Sequence, residues 1–111
     1  MLLPSLLFIG TGLLYIALAV PLVRRKVKPN HFYGFRTEEA FSSDEVWYAI
    51  NEYSARLMLR VGVVLIAAVP ALAAAGLEEV PFTLVMTGLL LGGTVFMVVR
   101  SMLHLKTLVK T

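Results

Sequence analysis

The side chains best suited to chemistry crowd into one short stretch. Asn30-His31-Phe32-Tyr33-Gly34-Phe35-Arg36-Thr37 is followed by Trp47, Asn51, Ser54 and Arg56. Arg36 carries a planar fork of donors that fits a carboxylate or phosphate through paired hydrogen bonds. Gly34, set between aromatics, marks a backbone conformation or close approach that a side chain would forbid. Trp47, Asn51, Ser54 and Arg56 lie near one another on a helix, and Asn51 can hydrogen-bond back into the 30–37 loop. The residues themselves allow two readings, a loop folded onto a helix and a binding surface.

Catalysis asks for more. A general base or nucleophile works beside a positioned partner, and His31, Asp44 and Glu45 offer no recognisable pairing, so no enzyme is expected. The chain has no cysteine, which excludes disulfides and thiolate chemistry. His31 and His104 stand far apart without acidic partners at ligand spacing, so neither a metal nor another cofactor is expected. Glu38, Glu39, Asp44 and Glu45 read as solvated or capping groups.

The elements that must position these residues are membrane spans. Of 111 residues only 15% are charged, and the mean hydropathy is +0.83. Residues 1–23, 61–77 and 80–99 contain no charge at all. A soluble fold of this size has no interior able to hide three such helices. Spans are therefore expected over about 2–23, 57–77 and 81–99, each near the ~20 residues needed to cross a hydrocarbon core of about 30 Å. Helical runs of this kind exclude an outer-membrane barrel. A cleaved signal peptide fits poorly, because the basic cluster Arg24-Arg25-Lys26 follows the first run instead of preceding it. Arg60 can snorkel from inside its span to the headgroups. Pro81, behind Glu78-Glu79, suits a first helical position. No ionisable group falls near the middle of a span, which argues against an ion-coupled transporter.

Residues 24–56 form a patterned loop. Seven of the eleven aromatics fall between Phe32 and Tyr53, a density suited to the headgroup level. Ser42 to Glu45 reads as a capping box that starts a helix. Val46, Ala49, Ile50, Tyr53 and Leu57 then recur at helical spacing, predicting an amphipathic cytoplasmic helix that leads into the second span. With no breaker between them, that helix either protrudes or bends near Ala55–Arg60 to lie along the interface. In the third span, Gly88-x-x-x-Gly92 with Gly93 offers a small-residue face for helix packing, within the chain or in a homo-oligomer.

The stretch Lys28-Pro29-Asn30, Tyr33-Gly34-Phe35-Arg36-Thr37, Ser43, Trp47, Asn51 and Ser54-Ala55-Arg56 resembles the SdpI family of bacterial membrane proteins. Order and spacing match across about 30 residues, and the resemblance extends over roughly 20–110. This chain departs from the family pattern at Glu38 in place of proline, at Ala40-Phe41 in place of a threonine-containing pair, and at Ala55 in place of glycine. The best-known member is larger, with additional N-terminal spans. The resemblance implies an all-α, single-domain membrane protein over 1–111 with binding residues Asn30, Gly34, Arg36, Thr37, Trp47, Asn51, Ser54 and Arg56. It also implies immunity to a secreted antimicrobial peptide, or signalling through a cytoplasmic repressor. The expected partners are then membrane lipids, a toxin peptide or that repressor, with no direct nucleic-acid binding. Two alternatives remain open on the residues alone. One is an accessory subunit of a larger membrane complex. The other is a membrane enzyme or lipid-headgroup-binding protein using Arg36, Asn51 and Arg56.

Charge sets the expected orientation. Seven of the ten Lys and Arg lie in residues 24–60, and the other three are Arg100, Lys106 and Lys110. Three spans put all ten on one side, the cytoplasmic side of the inner (plasma) membrane, with the N-terminus outside. The same bias accounts for the net charge of +3 without invoking nucleic acid. On intact cells a Ser43→Cys variant is expected to resist a membrane-impermeant thiol reagent and to react once the cells are permeabilised. Labelling from outside would overturn the orientation.

Overall fold

The computed structural model describes residues 1–109; Lys110, counted above among the tail charges, lies outside the described residues. Among these, three α-helices and one short 3₁₀ turn occur and no strand: α1 (Leu2–Val23), the turn Glu39–Phe41, α2 (Asp44–Ala74) and α3 (Glu79–Val109). All three helices are long and apolar enough to cross a membrane. Their outward faces carry large hydrophobics such as Leu6, Leu13, Val63, Leu84, Leu91 and Val95. Water would penalise such a surface, whereas lipid tails are as apolar as these side chains. The all-α membrane fold expected from the charge-free runs is the one observed.

The helix ends follow local chemistry. Ser43, not Ser42, caps α2: its side chain accepts from the Val46 N–H at 3.1 Å. Ser42 instead donates to the Glu39 carbonyl at 2.6 Å. Asp44 and Glu45 occupy the first turn, where carboxylates meet the positive end of the helix dipole. α2 ends at Ala74 in a Schellman turn, with Leu77 N–H on the Leu72 carbonyl and Gly76 N–H on the Ala73 carbonyl. Gly76 supplies the positive φ of 84° that this turn requires. The same pair of bonds closes α1, from Lys26 N–H to Pro21 and from Arg25 N–H to Leu22. There the left-handed position is held by Arg25, at φ 57°. Pro81 sits third in α3 and not first; the first four N–H groups of a helix lack intrahelical partners, so its missing donor is equally harmless there.

Of the two courses open to the helix before the second span, α2 takes the unbroken one and runs straight through Ala55–Arg60. One length differs from expectation. α3 continues ten residues past Val99 to Val109. The two extensions lie together, with Tyr53 stacked on His104 at 3.9 Å between ring centroids and Leu105 buried with Trp47 and Ile50. The long dimension of 51 Å therefore exceeds a hydrocarbon core of about 30 Å, and the excess carries the loop.

α2 is the central helix, with α1 and α3 packed on it and little direct contact between them. Its crossing with α1 is made by glycine. A Cβ on Gly62 would lie 2.7 Å from the Gly12 carbonyl oxygen, and one on Gly12 would meet the Gly62 carbonyl at 2.7 Å. Gly88 and Gly92 do not serve this role. A Cβ on either meets nothing within 4 Å, and in that glycine group only Gly93 approaches α2, at the Val61 methyls. Tyr15 and Thr94, 2.8 Å apart, join α1 to α3 through their hydroxyls.

Gly62→Val is therefore expected to destabilise the fold by about 1–3 kcal/mol through overpacking, read as a lower melting temperature in mild detergent. Gly88→Ala should leave it unchanged or slightly raised. Equal melting temperatures would refute the glycine crossing.

Candidate functional site

The loop between α1 and α2 is built around four residues of the motif. Asn30 closes a tight turn, its Oδ1 accepting from the N–H of Phe32 at 2.9 Å and of Tyr33 at 2.8 Å. Its Nδ2 donates to the Lys28 carbonyl at 2.7 Å. Gly34 then takes φ 110°, a conformation that side chains resist. Space forbids a side chain there too: a Cβ would lie 2.6 Å from Asn51 Oδ1 and 3.3 Å from the Trp47 ring.

Trp47 and Asn51, one turn apart on α2, hold this loop down. Both are buried, Trp47 fully and Asn51 to 2% exposure. Trp47 donates its indole N–H to the Val27 carbonyl at 2.9 Å. Asn51 Oδ1 accepts from the Phe35 N–H at 2.5 Å, and its Nδ2 donates to the Trp47 carbonyl at 3.0 Å and the Phe35 carbonyl at 3.4 Å. Thr37 accepts from the Ala40 N–H through Oγ1 at 3.3 Å and so starts the 3₁₀ turn. Phe41 stacks on Trp47 at 5.2 Å, and His31 lies tilted against Phe41 at 5.3 Å, extending the aromatic cluster to the surface.

Tyr33 ties the loop to α1, its hydroxyl donating to the Leu18 carbonyl. Burial pushes this phenol above its ordinary pKa of 10.0, so it remains a donor throughout the physiological range. Between α1, the loop and α2 lies a cavity of about 260 Å³, whose lining includes Leu18, Leu22, Tyr33, Asn51, Ser54 and Met58. Its walls are mainly apolar, aliphatic, aromatic and sulfur-bearing, with Phe32 and Phe35 among them and Asn51 and Ser54 as polar members.

The eight motif residues thus fall into three groups. Asn30, Thr37, Trp47 and Asn51 hydrogen-bond within the loop and Gly34 gives it room, so Trp47 and Asn51 do not frame an exposed surface. Ser54 lines the cavity. Arg36 and Arg56 are exposed but do not act together. One Arg36 guanidinium nitrogen donates to the His31 carbonyl. Arg56 is paired with Glu52, Nε and Nη2 both at 3.1 Å from Oε2. Sequence reasoning missed that pair and its third member, Arg25, whose Nε lies 2.6 Å from Glu52 Oε1. The Glu52–Arg56 spacing of four on a helix was a readable signal. Arg25, 27 positions from Glu52, left none.

Asn51→Leu leaves the partly buried Phe35 N–H and carbonyl without their partners, where full burial of an unsatisfied group costs about 1–3 kcal/mol. Its melting temperature in detergent is expected to fall clearly, while the exposed Lys106→Ala stays at the wild-type value. Indistinguishable melting temperatures would count against the clamp.

No curated protein and no solved structure matches the chain. The SdpI/YfhL protein family matches residues 26–100, a range that begins where α1 has just ended and takes in the whole clamped loop, α2 and most of α3. The loop whose geometry depends on Asn30, Gly34, Trp47 and Asn51 lies wholly inside that match, and the chain belongs to the SdpI/YfhL family.

Proposed function

We propose that this membrane protein works by recognition without catalysis. It protects against a secreted antimicrobial peptide or passes a membrane signal by binding a cytoplasmic regulator. The observation that carries this reading is the exposure of Phe32, 91% accessible on a loop whose backbone is clamped from both sides. An apolar ring held in water or headgroups gains by docking, and aromatic and arginine side chains dominate protein recognition. Clamping lowers the ordering cost of that docking. His31 and Arg36 stand exposed next to Phe32 in the same loop. With one guanidinium nitrogen on the His31 carbonyl, the rest of the Arg36 fork is free for an acidic group.

Against the reading of a headgroup-acting enzyme, Asn51 is engaged in the cap and Arg56 with Glu52. The side facing the partner is proposed to be cytoplasmic. Arg24, Arg25, Lys26, Lys28 and Arg36 belong to the loop end of the helices, as do Arg100 and Lys106, in agreement with the positive-inside rule.

The test is survival of a sensitive strain challenged with the secreted killing peptide of an SdpI-type system. Phe32→Ala and Arg36→Ala are expected to lose protection at unchanged membrane levels. Arg36→Lys keeps charge but loses the fork, so it should behave nearly like Arg36→Ala. Full protection by both alanine variants would remove this loop from the function.

A further inference from the structure

A second surface lies away from the loop, within the bilayer. α2 and α3 diverge on one side to leave an apolar groove of about 360 Å³, whose walls include Val61, Val64, Leu89 and Phe96 and whose floor includes Gly88 and Gly92. Both glycines face open space. Arg60 lines the end of the groove nearest the loop, and Arg100 lies over the Phe96 ring with Cζ 5.9 Å from its centroid. Among the described residues no carboxylate lies within salt-bridge reach of either arginine. By helix rise Arg60 stands about 21 Å from Ala74 at the far end of α2, inside a hydrocarbon core of about 30 Å and toward its loop-side face. Its guanidinium snorkels there to the depth of lipid phosphates.

We propose that this groove seats one anionic phospholipid. An acyl chain lies over Gly92 and Gly88, where the missing side chains leave room for it, and the headgroup phosphate meets Arg60 and Arg100. The charge selects the occupant. A second copy docked symmetrically on the groove would bring four unpaired arginines, two from each copy, to the edge of the hydrocarbon, whereas a phosphate neutralises those of one chain. Basic pockets between spans are a general route to anionic headgroup binding, each Lys or Arg near the surface contributing about 1 kcal/mol, or about fivefold in affinity.

The probe is phosphatidylglycerol against phosphatidylcholine of identical acyl chains, added to delipidated full-length protein and read by native mass spectrometry. Wild type is expected to retain one phosphatidylglycerol in preference to phosphatidylcholine, and Arg60→Gln to lose about fivefold of that preference. Gly92→Leu, whose Cβ enters open space, fills the groove and should lose retention of both lipids. Arg24→Gln, at the α1 end of the basic surface, should match wild type. Equal retention of the two lipids by wild type, or an equal loss from Arg24→Gln, reduces the effect to general attraction and overturns the site. So does a dimer that Gly92→Leu converts to monomer without altering lipid retention, because the groove would then be an interface between copies.

Discussion

A loop that crosses the end of a helical membrane protein must satisfy its backbone N–H and C=O groups while its side chains cover an apolar surface. Buried, each unpaired group costs about 1–3 kcal/mol, and regular secondary structure is closed to a segment that turns back on itself. Here α2 provides the missing partners. Trp47 takes the Val27 carbonyl and Asn51 takes both polar groups of Phe35. The rest of the cap is arranged around these bonds. Gly34 is bare because Asn51 and Trp47 occupy its side-chain space. α3 runs on to Val109 because Leu105 and Leu108 cover the far side of Trp47 and Ile50.

The clamp depends in turn on how closely α1 approaches α2. Paired glycines at 12 and 62 let the backbones touch, which brings the Leu18 carbonyl within reach of Tyr33. In lipid such closeness matters more than apolarity, because tails compete on equal terms for apolar surface and only packing and hydrogen bonds favour helix over lipid. The Tyr15–Thr94 bond adds to this on the α3 side.

The distribution of charge gives the two exposed surfaces different characters. Glu52 joins Arg25 to Arg56 and fixes the junction between α1 and the cap. Arg25 itself sits in the left-handed region, at φ 57°. Arg36, Arg60 and Arg100 have no acidic partner among the described residues. One stands on the loop beside Phe32; the other two flank a groove in the bilayer.

The three spans were legible in the sequence because partition into lipid is a sum over some twenty consecutive residues, and the charge-free runs supply that sum locally. The packing of the 30–37 loop on Trp47 and Asn51 was legible for a similar reason: a glycine among aromatics and a polar residue at helical spacing describe a short-range fit. What tertiary structure decided was pairing over distance. Gly88-x-x-x-Gly92 and Gly12 and Gly62 all permit close approach, yet only the latter two meet a helix of this chain, since a small residue allows contact without choosing a partner. Glu52 chose Arg25, 27 positions away, only because the α1 turn delivers it there. The start of α2 shifted from Ser42 to Ser43, and α3 outran its apolar segment by ten residues. The first followed from Ser42 spending its hydroxyl on the Glu39 carbonyl, the second from α3 packing on Trp47 and Ile50, and neither is contained in the hydrophobic pattern along a single helix.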